Sequence, residues 1–125
     1  MKNIVMTQEN KELLLNDLCA RLQYGVKISV NDKIESLQGI NVLDNVVEYG
    51  SFLSSDIEEV KPYLLPLSSM TEEQKQEYQY ITERWMYDSS YSIGDSIDWL
   101  NKNHFDYRGL IEKGLAIEAP EGMYN

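Results

Sequence analysis

Among its 125 residues the chain has one cysteine, one histidine and three prolines, and only 11 basic residues against 21 acids. Each scarcity excludes something. A lone Cys19 cannot close an intramolecular disulfide, so a disulfide scaffold is ruled out. Its place among leucines at helical spacing predicts a buried, reduced thiol. A structural zinc site needs several His or Cys ligands, and this chain offers one of each, far apart in sequence. The only metal trio to weigh is Asp95, Asp98 and His104, and an i, i+4 pair with Lys102 explains Asp98 equally well. No calcium loop of alternating acids is present. The seven glycines are dispersed, with no G-x-x-x-x-G-K or G-x-G-x-x-G pattern to cradle a phosphate, and no cofactor is expected. The basic residues form no cluster, which argues against direct nucleic-acid binding. No run approaches the ~18 apolar residues of a membrane span, and the first residues lack the apolar core of a secretory signal. The expectation is a cytoplasmic protein that does not engage the membrane.

What the chain does have is acid, unevenly placed. Eleven acids from Glu48 to Asp98 face only Lys61, Lys75 and Arg84, so residues 48–98 carry eight of the ten net negative charges. Such asymmetry allows a basic partner. Hydrophobic content of 42% and nine tyrosines argue for a folded core despite the charge. The length suits a single domain spanning 1–125, with helix and sheet in 1–66 and a helical part packed on it in 67–125.

Residues 7–24 read as an amphipathic helix capped by Thr7, buried along Leu14, Leu18 and Leu22, and stopped by Gly25. The period then falls to two, and Val26–Val30, Ile34–Leu43 and Val46–Phe52 read as strands around turns at Asn31-Asp32 and Asp44-Asn45. Gly39 and Gly50 mark bulges or bends. Val60–Leu65 reads as a last edge strand, because Pro62 and Pro66 are unsuited to a central one. Ser69 with Glu72, or Thr71 with Gln74, forms a capping box for a helix that buries Tyr78, Ile81 and Trp85. Ser92 with Asp95 starts another, with a buried stripe of Ile93, Ile97 and Leu100. A third short helix runs from Asp106 to Gly114, where Leu115 folds back on Leu110 as in a Schellman motif, and Ala116–Ala119 forms a short strand. The predicted fold is α+β: an N-terminal helix, a small curved antiparallel meander able to close toward an SH3-like barrel, then three C-terminal helices.

Every acid–base argument passes through His104. Together with Asp106, Tyr107 and Arg108, and with Trp99 nearby, it forms a polar cluster in which a histidine beside an aspartate can act as a general base. The structural explanation is simpler: His104 caps one helix C-terminus and Asp106 the next N-terminus. The serines and Cys19 lack a partner base, so no catalytic residue is assigned. The other candidates are Tyr80 and Tyr87, which point off the buried stripe within the acidic segment and resemble a protein-binding patch.

Two stretches read as phrases: Lys61-Pro62-Tyr63-Leu64-Leu65-Pro66-Leu67-Ser68-Ser69-Met70-Thr71-Glu72-Glu73, and Trp99 through His104-Phe105-Asp106-Tyr107-Arg108-Gly109-Leu110 to Pro120. With Leu18–Val26, they resemble a group of short proteins of gut anaerobic bacteria, often encoded in prophages and mobile elements, with no assigned activity. The resemblance implies an accessory protein of that type. The reading is therefore a small acidic binding or regulatory protein with a protein partner. The alternatives are an enzyme or ligand-binding domain centred on His104, Asp106, Tyr107 and Arg108, and an acidic mimic of nucleic acid.

Overall fold

The computed structural model describes residues 6–84, 86–88, 90 and 92–124. Trp85, expected on a buried stripe, lies outside the described residues. Helix α1 spans Gln8–Arg21, with the Thr7 hydroxyl accepting the Asn10 N–H as its cap, and a 3₁₀ turn ends at Gly25 in the left-handed region. Strands β1 (Lys27–Val30) and β2 (Lys33–Asn41) are joined by Asn31 and Asp32, both at positive φ, as a two-residue hairpin turn requires. Strand β3 (Val46–Tyr49) follows, and the register between β2 and β3 shifts between Leu37 and Gly39, the bulge expected at that glycine. A Cβ on Gly39 would come within 2.5 Å of the Glu48 carboxylate, so this glycine lets Glu48 lie flat across the sheet.

The run expected as one strand over Val46–Phe52 instead turns back at Gly50, Ser51 and Phe52 to give β4 (Leu53–Asp56). Strand β5 (Val60–Pro66) then pairs antiparallel with β1. It also pairs in parallel with β6 (Phe105–Asp106) and β7 (Ile117–Glu118), so β5 is interior to the sheet and not its edge. Leu65 N–H donates to His104 O, and Leu64 O accepts from Ala119 N–H. Those groups are the two poles of one planar peptide, which puts β6 and β7 along opposite sides of β5. Pro62 and Pro66 share the alternation of Leu64, so the donors they lack belong to the β7 side, where pairing stops after two residues. A proline removes a donor from one side of a strand and leaves the other intact.

After the sheet come α2 (Glu72–Arg84) and α3 (Ile93–Lys102). Of the two capping boxes considered for α2, Thr71 with Gln74 is the one formed, whereas the Ser69 hydroxyl donates to Pro66 O. The Ser92–Asp95 box opens α3 as expected. Of its expected buried stripe only Leu100 is buried, joined by Ser96, Trp99 and Asn101, while Ile93 and Ile97 are exposed. The large indole takes the interior, stacked on Phe105 at 5.8 Å and tilted against Tyr78 at 5.5 Å.

The third C-terminal helix does not form. Asp106 belongs to β6, and Gly109 at φ +75° interrupts the chain before a helix can propagate. What remains is one turn closed as a Schellman motif, Leu115 N–H to Leu110 O and Gly114 N–H to Ile111 O, with Gly114 at φ +77°. The fold is α+β, with one helix, a mixed seven-stranded sheet and two further helices. The antiparallel meander covers only its first part, and residues beyond 66 add β6 and β7 to the sheet.

Two hydrophobic clusters fill the interior. The larger joins Leu14, Leu15 and Leu18 of α1 to Ile28, Val47, Val60 and Leu64 of the sheet, and to Leu110 and Leu115 of the closing turn. The smaller holds Trp99, Leu100 and Phe105, with Met70, Tyr78 and Ile81 half-buried against them.

Candidate functional site

The cluster from Trp99 to Arg108 lies where α3 enters β6, and its geometry begins on α1. Asp17 and Arg21 sit one turn apart and are both fully buried, joined at 2.8 Å. A buried pair of this kind holds only if its remaining polar groups are also met. Here Arg21 also donates to Phe105 O at 2.7 Å, and the second oxygen of Asp17 receives Arg108 Nε at 3.1 Å, while Arg21 Nη1 is buried without a hydrogen-bond partner among the described residues. The two guanidiniums lie 5.4 and 4.9 Å from the Tyr107 ring centroid, a double cation–π arrangement. The Tyr107 hydroxyl donates to Asn101 Oδ1 and accepts from Arg108. This network ties the first helix to β6 across more than eighty residues of sequence.

Its members on α1, Asp17 and Arg21, are not among the candidates drawn from the sequence. The signal was present: Asp17 and Arg21 are spaced i, i+4 within a stripe of Leu14 and Leu18, a charged pair on an apolar face. Because the buried arc of α1 extends toward Asp17 and Arg21, its opposite flank faces water, and Cys19 is exposed. The expectation of a buried thiol is therefore overturned.

His104 occupies the residue after the last turn of α3, its N–H bonded to Asn101 O and its backbone at φ +65°. This is the left-handed position that usually falls to glycine. Its ring stacks on Tyr124 with centroids 3.7 Å apart, and Nδ1 is buried without a hydrogen-bond partner among the described residues. Burial, then the nearby Arg21 and Lys27 charges, push its pKa down to about 4. His104 therefore stands at the helix end as expected, but as a neutral ring and not as a cation. Tyr124 wedges between strands: its hydroxyl accepts Lys27 N–H and donates to Tyr63 O, both at 2.8 Å. Burial raises its pKa to about 12.

Both Asp106 carboxylate oxygens are occupied by the N–H groups of Leu110 and Ile111, the capping role expected of it, applied to the closing turn. Trp99 is buried in the smaller cluster. The structure thus brings Trp99, His104, Asp106, Tyr107 and Arg108 close to one another. The adjacent cleft, about 530 Å³, is lined by Thr71, Gln74, Asn103 and Tyr124 but by neither His104 nor Arg108. No group of three or more His, Cys, Asp or Glu among the described residues is placed to hold a metal ion.

Tyr80 and Tyr87 lie elsewhere, on the acidic helix α2 and just after it. Tyr80 is 54% exposed, with Arg84 5.2 Å from its ring, and Tyr87 is 83% exposed beside the exposed Met86. Larger still is the exposure of Phe52, whose side chain stands entirely in solvent at φ +66°. That residue had been read as the end of a strand. No family model matches the chain, and no curated protein or solved structure matches it either.

Proposed function

We propose that the chain is a small acidic binding or regulatory protein, of the accessory type carried by phages and mobile elements, that acts by engaging a basic protein. The observation that carries this reading is the display of large apolar side chains among acids. Phe52, Tyr87 and Met86 are held in solvent, and Glu72, Glu73, Glu77 and Glu83 on α2 are exposed as well. Exposed aromatics within a charged rim are the composition of an interface core before its partner arrives. The polar groups of the Trp99–Arg108 cluster, by contrast, are engaged in holding the fold: Asp106 caps a turn, Arg108 is bonded to Asp17 and Tyr107, and His104 is a neutral stacked ring.

The test is affinity capture from bacterial lysates with the full chain, comparing wild type with a Tyr80→Ser, Met86→Ser, Tyr87→Ser variant and with Phe52→Gly. A basic protein retained at low salt, released as salt approaches ~1 M and lost in at least one of these variants is the expected result. Failure to retain any specific protein, together with small-molecule stabilisation abolished by Arg108→Ala, would instead favour a ligand site at His104 and Arg108.

A further inference from the structure

We propose that the outer edge of β4, with the groove beside it, receives an extended protein segment that lays a lysine or arginine side chain against Glu48 and Phe52. This deepens the binding reading above and rests on it, by naming one surface and the chemistry of its occupant. Three observations meet at this place. The first is a strand edge that no described residue covers: among the described residues β4 pairs only with β3. Ile57 N–H bonds Asn45 O across that pair, so by alternation the N–H and C=O of Ser54 and the N–H of Asp56 face away from the sheet, while the Asp56 carbonyl opens the 3₁₀ turn at Ile57–Glu59. Those groups are the template on which a partner strand adds.

The second is Phe52. A non-glycine residue at φ +66° is strained, and a fully exposed phenyl ring recovers nothing from the interior to offset that. Glycine would relieve the backbone and remove the ring, so this residue opposes stability in both respects. The third is the groove itself, about 570 Å³, lined by Gln38, Glu48, Gly50, Phe52, Leu53 and Ser54. Glu48, one of the lining residues, lies over Gly39. Its carboxylate has no ion-pair or hydrogen-bond partner among the described residues. An aromatic face beside an unpaired carboxylate recognises a cation on a flexible stem. A second copy of this chain fits poorly, because with 21 acids against 11 basic residues it brings mostly acid to a groove that calls for a cation.

The experiment is selection of a displayed library of random decapeptides on the full chain at low salt. Binding of the enriched peptides is then measured on Ser54→Pro, Glu48→Gln, Phe52→Gly and, as a control on an exposed residue away from this surface, Glu112→Gln. The Ser54→Pro substitution removes an outward donor and leaves the β3 ladder whole, and melting curves check that each variant folds. The expected peptides alternate β-branched residues and carry one Lys or Arg. Their affinity falls at least tenfold in the first three variants and is unchanged in Glu112→Gln, and Phe52→Gly melts higher than wild type. No enrichment, peptides without a basic residue, equal affinity for Ser54→Pro, or a dimer of the wild type abolished by Ser54→Pro would each overturn the proposal. If selection fails here while a basic protein is still captured through Tyr80 and Tyr87, the wider binding reading stands and only this surface is rejected.

Discussion

The half of the molecule built on α1 and the half built on α2 are held by different means. Helix α1 buries Leu14, Leu15 and Leu18 and also a charged network, Asp17–Arg21–Arg108, joined to Tyr107 and the Phe105 carbonyl. Among the described residues, helix α2 has no fully buried member; half-buried Tyr78 and Ile81 pack against Trp99, and Thr82 meets Ser96 through their hydroxyls. The two helices are of similar length, yet one is a structural root and the other a covering. Regions with few buried apolar contacts open at lower free energy than the global transition. The acid-rich surface is thus displayed largely by the half that can loosen without unfolding the rest.

The largest effect should come from cutting the root. Asp17→Ala leaves Arg21 buried without its counter-charge, and the expected cost is roughly 3–5 kcal/mol. A denaturant melt should show it, and a change below ~1 kcal/mol would mean that the network does not anchor α1.

Acid should act next, on the same half. The folded-state pKa of His104 lies at about 4, below its ordinary 6.5, so the unfolded chain binds the extra proton between these values. Stability is then fully present above pH ~6.5 and declines as pH falls toward ~4, by roughly 2–3 kcal/mol. In His104→Phe, which keeps a ring for the stack on Tyr124, that portion of the pH dependence should vanish. A melt-versus-pH curve identical to wild type would show that the loss arises elsewhere.

A smaller effect tests the covering. Thr71→Ala removes the hydroxyl that caps α2 and should cost about 1 kcal/mol. Hydrogen exchange should register it chiefly at α2 amides, with α1 amides unmoved. Equal acceleration in both helices would show that the two halves open together. Ser69→Ala, which removes only a bond to Pro66 O, should do less.

The smallest effect is chemical. Cys19 faces water, so native protein should react with an alkylating agent at a rate near that of the denatured chain, with negligible change in stability. Strong protection would mean that α1 is turned about its axis from the orientation described.

Local signals were legible where one residue type answers one backbone need. Thr7, the Thr71–Gln74 and Ser92–Asp95 boxes, the Asn31-Asp32 turn, the Gly39 bulge and the Gly114 closure all appear where the chain announced them. Failures came where periodicity had to choose between faces or lengths. The stripe Ile93, Ile97, Leu100 was a valid apolar face, and an equally valid one containing Trp99 was used. Val46–Phe52 was a valid strand, but a left-handed Phe52 turned it into a hairpin, which β-propensity at phenylalanine does not reveal. At the candidate site, Asp106 as a cap was readable because it needs only the next few residues. His104 as a neutral stacked ring was not, since its partner Tyr124 is twenty residues on.

By itself the sequence determined the class of object: an acidic α+β fold, its N-terminal helix, its early hairpins, its helix starts and the concentration of charge in 48–98. These depend on interactions within a few residues, whose geometry the backbone sets locally. Only the tertiary structure decided that β5 lies inside the sheet, that Asp106–Gly114 is a strand end and a turn, that Asp17 and Arg21 are interior, and that Phe52 stands in solvent. Each of those outcomes is settled by which distant segment covers a given edge or face. Two parallel strands from the C-terminal part close over β5, and an arginine from beyond α3 completes a charge pair on α1. Coverage of that kind is a competition among many apolar faces and polar groups for a limited interior, and no local pattern records who wins it.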